Sequence, residues 1–132
     1  MSLTKILGLD HVGIRVSDFE TANSFYQRLG FSNFEIDDDG DYELWTDGGL
    51  RVNLIPNAKS PEDGHNILLD EPVKYPGYTH AAFIIEDMDS AIENFKAAGI
   101  NITGGPKESP RRRYFFIRDL DGNVLEFNQL KS

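Results

Sequence analysis

The chain has 132 residues, of which 39% are hydrophobic and 27% are charged, and its formal net charge is −9. This composition is typical of one soluble globular domain, and so acidic a surface disfavours nucleic acid and anionic membranes as partners. The absence of cysteine excludes disulfides and thiolate ligands, and no apolar run is long enough for a membrane span or a secretory signal, so we expect a cytoplasmic protein.

The first predicted elements are a strand, a helix and three further strands. Residues 9–16 are rich in β-branched side chains and predict a strand, and apolar residues then recur at helical spacing over residues 19–29. Ser17, with Glu20 three residues later, forms a capping-box pattern at the helix start, and Gly30 is a typical helix stop. Short strands follow at 31–36, 42–46 and 50–55, separated by turns rich in aspartate and glycine.

Residues 56–77 predict a linker with little regular structure. They contain four of the chain's six prolines. A segment of this length in a small domain is either a cover over a functional site or a plain tether between two modules.

The second half of the chain predicts the same order of elements. A strand at residues 79–85 precedes a helix that Asp87 caps and Gly99 ends. Three more strands are predicted at 100–103, 113–118 and 123–128.

These two halves are copies of one another. A shift of 69 positions places His11 on His80, and a shift of 73 places Asn53 on Glu126. The chain is therefore predicted to be one α+β domain, residues 1–132, built from two tandem β-α-β-β-β modules. Module one covers residues 8–55, the linker covers 56–77, and module two covers 78–130.

The duplication repeats a histidine on the first strand of each module. His11 and His80 lie among apolar neighbours, as does Glu126 on the last strand. Buried carboxylates need a partner because their desolvation is costly, and a divalent cation is a suitable one. Two imidazoles and one carboxylate suit Fe(II), Mn, Ni, Co or Zn. The alternative is a hydrogen-bonded histidine–glutamate core without metal.

A basic run in the second module is a candidate substrate site. Residues 107–113 hold four of the 13 basic residues, and Lys107, Arg111 and Arg113 are the candidates for binding an anionic small molecule. The alternative is a solvated loop whose charge offsets nearby acidic residues.

Glu43 is the candidate general base. It lies at the repeat position of Phe116 and shares strand parity with Trp45. If that face lines a cavity, Glu43 is placed for proton transfer, and Trp45 and Phe116 are placed for substrate contact. The alternative is an exposed carboxylate on a strand.

The paired modules, the two histidines and the sequence Asp-Leu-Asp-Gly-Asn-Val-Leu-Glu at residues 119–126 resemble the vicinal oxygen chelate superfamily. That superfamily includes glyoxalase I, extradiol dioxygenases, fosfomycin-resistance enzymes and bleomycin-resistance proteins. The resemblance implies a paired glyoxalase-like fold, in which a curved mixed sheet surrounds a central cavity with a divalent metal. It places His11, Asn53, His80 and Glu126 on the four positions from which the family draws ligands, and it implies a homodimer.

Asn53 departs from the pattern of the glyoxalases, which resemble one another in carrying glutamate or glutamine there. The remaining His-His-Glu set is similar to that of extradiol dioxygenases and fosfomycin transferases, although both tend to carry tyrosine where Phe116 stands. The resemblance thus implies a metal-dependent enzyme that binds a small oxygen-rich metabolite in bidentate fashion. Its reaction is either extradiol-type dioxygenation or redox-neutral lyase or isomerase chemistry. The alternative is a metal-free ligand-binding protein similar to bleomycin-resistance proteins.

Overall fold

A computed structural model describes residues 2–132 and divides the chain into two compact units after Lys59. The first unit contains β1 (Val12–Arg15), α1 (Phe19–Arg28), β2 (Asn33–Ile36), β3 (Tyr42–Trp45) and β4 (Arg51–Ile55). The second contains a 3-10 turn (Glu62–Gly64), β5 (His80–Ile84), α2 (Met88–Ala97), β6 (Gly104–Glu108), β7 (Arg112–Arg118) and β8 (Val124–Leu130). This order confirms the predicted α+β fold of two β-α-β-β-β modules.

Each unit forms a four-stranded mixed sheet with the same topology. The strand orders are β1-β4-β3-β2 in the first unit and β5-β8-β7-β6 in the second. In both, the first strand pairs in parallel with the last, and the other pairs are antiparallel. The shared topology is the structural form of the sequence repeat.

One face of each sheet packs against the helix of its own unit. In the first unit Tyr42 stacks on Phe19 of α1, with ring centroids 3.3 Å apart. In the second unit Phe95 of α2 contacts the rings of Phe115 and Phe127. Because side chains alternate along a strand, the neighbouring residues point to the opposite face of the sheet. The polar residues predicted for the site, including Glu43, Asn53 and Glu126, lie on that opposite face.

The first helix begins one residue later than the capping-box pattern predicts. Asp18, rather than Ser17, is the N-cap of α1, and its carboxylate accepts a hydrogen bond of 2.9 Å from the amide of Thr21. Asp87 caps α2 in the same way and accepts from the amide of Ser90. Hydrogen bonds from the hydroxyl and amide of Thr21 lower the pKa of Asp18, and those from the amide and hydroxyl of Ser90 lower the pKa of Asp87. Both halves thus cap their helix with an aspartate.

The strand predicted at residues 100–103 is wrong, because β6 lies four residues later. It contains Pro106, which a central strand would exclude but an edge strand tolerates. Ile100 and Ile102 are half-buried ahead of the strand. Alternating β-branched residues are typical of a strand, so the sequence pattern favours this segment over the true one.

Residues 60–77 belong to the second unit and are attached to it by specific contacts. Arg118 donates a two-pronged pair of hydrogen bonds to the carboxylate of Asp70, at 2.6 and 2.8 Å, and a third to the carbonyl of Gly64. This guanidinium holds the pKa of Asp70 well below its usual range. Gly122 has a φ of +84°, and a Cβ there would collide with the Gly64 carbonyl. The segment is therefore fastened to the β7–β8 hairpin.

Candidate functional site

The second unit brings together His80 and Glu126, two of the three predicted metal ligands. Glu126 lies on the central strand β8 and is 5% exposed. His80 is the first residue of the neighbouring strand β5, and its Nε2 lies 3.3 Å from Glu126 Oε1. The other ring nitrogen, Nδ1, lies 2.8 Å from the hydroxyl of Thr79. That contact orients the imidazole so that Nε2 faces the carboxylate.

A cation and two aromatic rings border this pair. Arg112 Nε lies 3.7 Å from Glu126 Oε2, and the guanidinium lies 4.4 Å above the ring of Tyr114. The Phe116 ring is 5.6 Å from the His80 ring and 5.9 Å from that of Tyr114. We call these five residues the Glu126 cluster. It is a buried carboxylate between an imidazole and a guanidinium, with an aromatic border.

The first unit holds the repeat counterparts of these residues. His11 directly precedes β1, and its Nδ1 lies 2.7 Å from the carboxylate of Asp10. Asn53 is the counterpart of Glu126, and its buried Oδ1 has no hydrogen-bond partner within residues 2–132. In both units, then, the side chain before the histidine engages Nδ1. Metal-binding histidines are typically oriented in this way, which leaves the other ring nitrogen for the ion.

Glu43, the predicted general base, forms an ion pair within its own sheet. It accepts a hydrogen bond of 2.6 Å from Arg51, whose guanidinium lies 4.8 Å from the centre of the Trp45 ring. Glu43 pairs in register with Asn53, so the two side chains share a face. The structure thus brings together Glu43, Trp45 and Asn53, and general-base catalysis by Glu43 stays a prediction.

The basic run divides between the two faces of its sheet. Arg113 lies on the α2 side and donates a hydrogen bond of 3.0 Å to Asp89, a contact that raises the pKa of the guanidinium. Arg111 is exposed ahead of β7, and Lys107 on β6 pairs in register with Tyr114. The basic residue that reaches Glu126 is Arg112, which sequence reasoning missed.

The signal for Arg112 is the alternation of side chains along β7. Phe116 pairs in register with Glu126 and therefore shares its face. Arg112, four residues before Phe116, has the same parity, whereas Arg113 has the opposite one. Parity alone could therefore have selected Arg112 from the run.

Two of the three predicted ligands, His80 and Glu126, have a geometry that fits a divalent ion. Two donors bonded to one ion at about 2.1 Å lie roughly 3.0–3.4 Å apart, and the distance between His80 Nε2 and Glu126 Oε1 falls in that range. In the first unit, the buried Asn53 oxygen without a partner among residues 2–132 can accept a hydrogen bond. Within residues 2–132, no three histidine, aspartate and glutamate side chains are grouped closely enough to hold an ion. The spacing of His80 and Glu126 is thus compatible with two donors to one ion.

Comparison with known proteins assigns the family. The model of the Glyoxalase/Bleomycin resistance protein/Dioxygenase superfamily matches residues 8–127, and the chain belongs to that superfamily. Virulence protein STM3117 of Salmonella typhimurium is 28% identical over 134 residues, which cover 92% of this chain and 83% of that protein. Its crystal structure has a TM-score of 0.72 and covers 96% of this chain and 98% of that one.

Two solved structures with lower identity share the fold. The fosfomycin resistance protein FosX of Listeria monocytogenes is 20% identical with a TM-score of 0.69, over 96% of this chain and 94% of that one. The antibiotic binding protein TnmS3 of a Streptomyces species is 22% identical with a TM-score of 0.67, over 97% of this chain and 99% of that one. Among residues 2–132, no helix is long and apolar enough to cross a bilayer.

Proposed function

We propose that this chain is a metal-dependent enzyme of the superfamily that acts on a small, oxygen-rich metabolite. The observation that carries the proposal is the pair formed by His80 Nε2 and the buried Glu126 carboxylate, 3.3 Å apart. A buried carboxylate beside an oriented imidazole is a donor set that suits Fe(II), Mn, Ni, Co or Zn. The third ligand in this proposal is His11, which the sequence repeat predicts, and the family resemblance implies Asn53 as the fourth position.

The residues around the pair have separable roles in this proposal. A bound divalent ion would supply Lewis-acid stabilisation of a substrate that binds through two adjacent oxygens. Thr79 keeps the His80 ring in a fixed orientation. Phe116 and Tyr114 provide an apolar border that limits the access of water to Glu126. Ala82 pairs in register with Glu126, and its small side chain leaves space beside the carboxylate.

Metal titration tests the proposal. Chelator-treated protein is titrated calorimetrically with Co(II), Mn(II), Fe(II), Ni(II) and Zn(II), and wild type is expected to bind one ion per chain. His80→Ala and His11→Ala are each expected to weaken binding by at least about a hundredfold, because a ligand contributes more than the outer-shell partners whose loss costs about 10–100-fold.

His65→Ala is the matched control, because His65 lies 3.3 Å from Glu71 in the 60–77 segment, outside the predicted ligand set. The control is expected to bind metal like wild type. The proposal is overturned if wild type binds none of the five ions, or if His65→Ala loses affinity as strongly as His80→Ala.

A second measurement separates the two reaction classes. Oxygen uptake by the Fe(II)-loaded protein with a catechol supports extradiol-type dioxygenation. Turnover of a 2-oxoaldehyde–thiol adduct without oxygen uptake supports lyase or isomerase chemistry.

Metal-free ligand binding is the second candidate function. It is favoured by the position of Glu126 between His80 and Arg112, since the guanidinium supplies counter-charge and the imidazole a polar contact without a metal ion. The fold shared with the antibiotic binding protein TnmS3 is in line with this candidate. An increase in melting temperature on addition of cationic ligands, unchanged by EDTA, would favour it over the metal-dependent enzyme.

A further inference from the structure

We infer that Arg112 binds the anionic group of the ligand and makes this site selective for anionic over neutral molecules. The inference rests on the proposed function, because it assigns a ligand class to the same site. It concerns one guanidinium of the Glu126 cluster, on the face of the second sheet opposite α2.

The Arg112 guanidinium is held in position but keeps most of its donors unused. Its contact with Glu126 is made through Nε at 3.7 Å, which is longer than a hydrogen bond. One flat side lies 4.4 Å from the centre of the Tyr114 ring, so the group is positioned by stacking. Within residues 2–132, neither terminal nitrogen donates a hydrogen bond. These nitrogens form the planar fork that suits a carboxylate or phosphonate.

The other two arginines of β7 already donate hydrogen bonds from terminal nitrogens to protein carboxylates. Arg118 donates to Asp70 at 2.6 and 2.8 Å, and Arg113 donates to Asp89 at 3.0 Å. Arg113 also lies on the α2 side of the sheet. Arg112 is therefore the arginine of β7 whose fork is available on the face that carries Glu126.

The charges on this face favour an anion even though the whole protein is acidic. Lys107 pairs in register with Tyr114 and so shares the face of Arg112, whereas the charge of Arg118 on that face is already paired with Asp70. Among the described strand residues of the face, Glu126 is the carboxylate, and it contacts both His80 and Arg112. Since the chain carries a net charge of −9, this concentration of positive charge runs against the average of the surface.

A pair of probes that differ in charge tests the inference. Lactate and hydroxyacetone each present two adjacent oxygens, but only lactate is an anion. Both are titrated into Co(II)-loaded protein, and the visible absorption of Co(II) and the binding heat are recorded. Arg112→Gln is expected to weaken lactate binding by at least about tenfold, because a hydrogen bond to a charged group is worth about 1.5–3 kcal/mol. Hydroxyacetone binding is expected to change by less than about twofold.

Lys96→Gln is the control, since it removes one positive charge from an exposed position of the second unit on α2, away from the face that carries Glu126. It is expected to leave lactate binding unchanged. Arg112→Lys keeps the charge without the fork and is expected to give an intermediate lactate affinity. Equal lactate affinity in Arg112→Gln and Lys96→Gln overturns the inference, provided that thermal unfolding shows both variants to be folded.

The two proposals fail in different ways. Failure of wild type to bind Co(II) overturns the metal-dependent function. In that case the lactate titration is carried out on the metal-free protein. A loss of affinity in Arg112→Gln alone supports the role of Arg112, and equal affinities overturn it.

Discussion

The two units have the same backbone plan but place their carboxylates on different strands. In the first unit one row across the sheet contains Gly13, Asn53 and Glu43. The corresponding row in the second unit contains Ala82, Glu126 and Phe116. Glu35 of β2 also pairs in register with Glu43, so this row carries carboxylates on β2 and β3 in the first unit and on β8 in the second. A repeated fold fixes where a side chain is presented, and the residue type at that position decides what it can bind.

The partners of the two carboxylates also differ. Glu43 is 2.6 Å from Arg51, so its charge is satisfied by a direct hydrogen-bonded ion pair. Glu126 is more deeply buried, and its contacts with His80 and Arg112 are longer, at 3.3 and 3.7 Å. The second carboxylate therefore keeps more capacity to accept a further cation.

The largest expected effect is a loss of metal affinity that differs between substitutions of Glu126 and Glu43. Glu126→Gln is expected to weaken metal binding by at least about a hundredfold, because an amide lacks the charge that holds a divalent ion. Glu43→Gln is expected to change metal affinity by less than about threefold, since Arg51 already engages that carboxylate. Calorimetric titration with Co(II) measures both variants. Equal losses would show that the two carboxylates are equivalent in metal binding, contrary to the difference in their contacts.

A smaller effect is expected from a pair of equivalent glycines. Gly49 and Gly122 occupy the same repeat position and have φ values of +89° and +84°. Gly49→Ala is expected to cost about 1 kcal/mol, from the left-handed backbone alone. Gly122→Ala is expected to cost at least about 2 kcal/mol, because its Cβ would also collide with the Gly64 backbone.

Chemical denaturation of the two glycine variants measures the difference. The difference in unfolding free energy reports on the 60–77 segment, because this segment approaches Gly122 and has no equivalent at Gly49. A Gly122→Ala variant no less stable than Gly49→Ala would show that the segment is not held against the hairpin.

The smallest expected effect is the pH dependence that the Asp70–Arg118 ion pair gives to the second unit. Arg118 holds the pKa of Asp70 below its ordinary value of 3.8. The ion pair therefore adds stability above that value, and the contribution is lost as the pH falls below it. Wild type is expected to melt at a higher temperature than Asp70→Asn at pH 7, and the gap is expected to narrow from about pH 4 downward.

Arg118→Gln provides the control for this pH dependence. In that background Asp70→Asn is expected to change the melting temperature little at any pH, because the two residues act as a pair. A gap of the same size at pH 7 and pH 3 would contradict the assignment of the effect to the Asp70 carboxylate.

Much of the fold could be predicted because its signals are local or repeated. Helical periodicity, helix-stopping glycines and turn residues identified both helices, the strand that precedes each one and the strand that follows α1. The failures occurred where a local pattern competed with tertiary context. Pro106 lies in β6 because an edge strand does not need its missing amide. Asp18 replaced Ser17 as the cap, which the match of Asp18 to Asp87 in the repeat could have revealed.

The site was predicted less completely than the fold. Sequence pairing selected His80 and Glu126, and the structure places them in contact. Arg112 was missed because composition draws attention to a run of basic residues but not to the face on which each one lies. The roles of His11 and Glu43, the metal and the homodimer stay predictions.

The superfamily was recognised through the resemblance of known motifs, whereas the duplication, the α+β modules and the equivalence of His11 with His80 were predicted from the patterns of the chain itself. These follow from hydrophobic periodicity, turn chemistry and self-similarity, which are properties of residues close together in the chain or of the order in which they occur. Only the tertiary structure decided which arginine reaches Glu126, which one reaches Asp70 and how the 60–77 segment is fastened. The physical reason is that strand register and side-chain rotamers set these contacts, and they depend on residues far apart in the sequence.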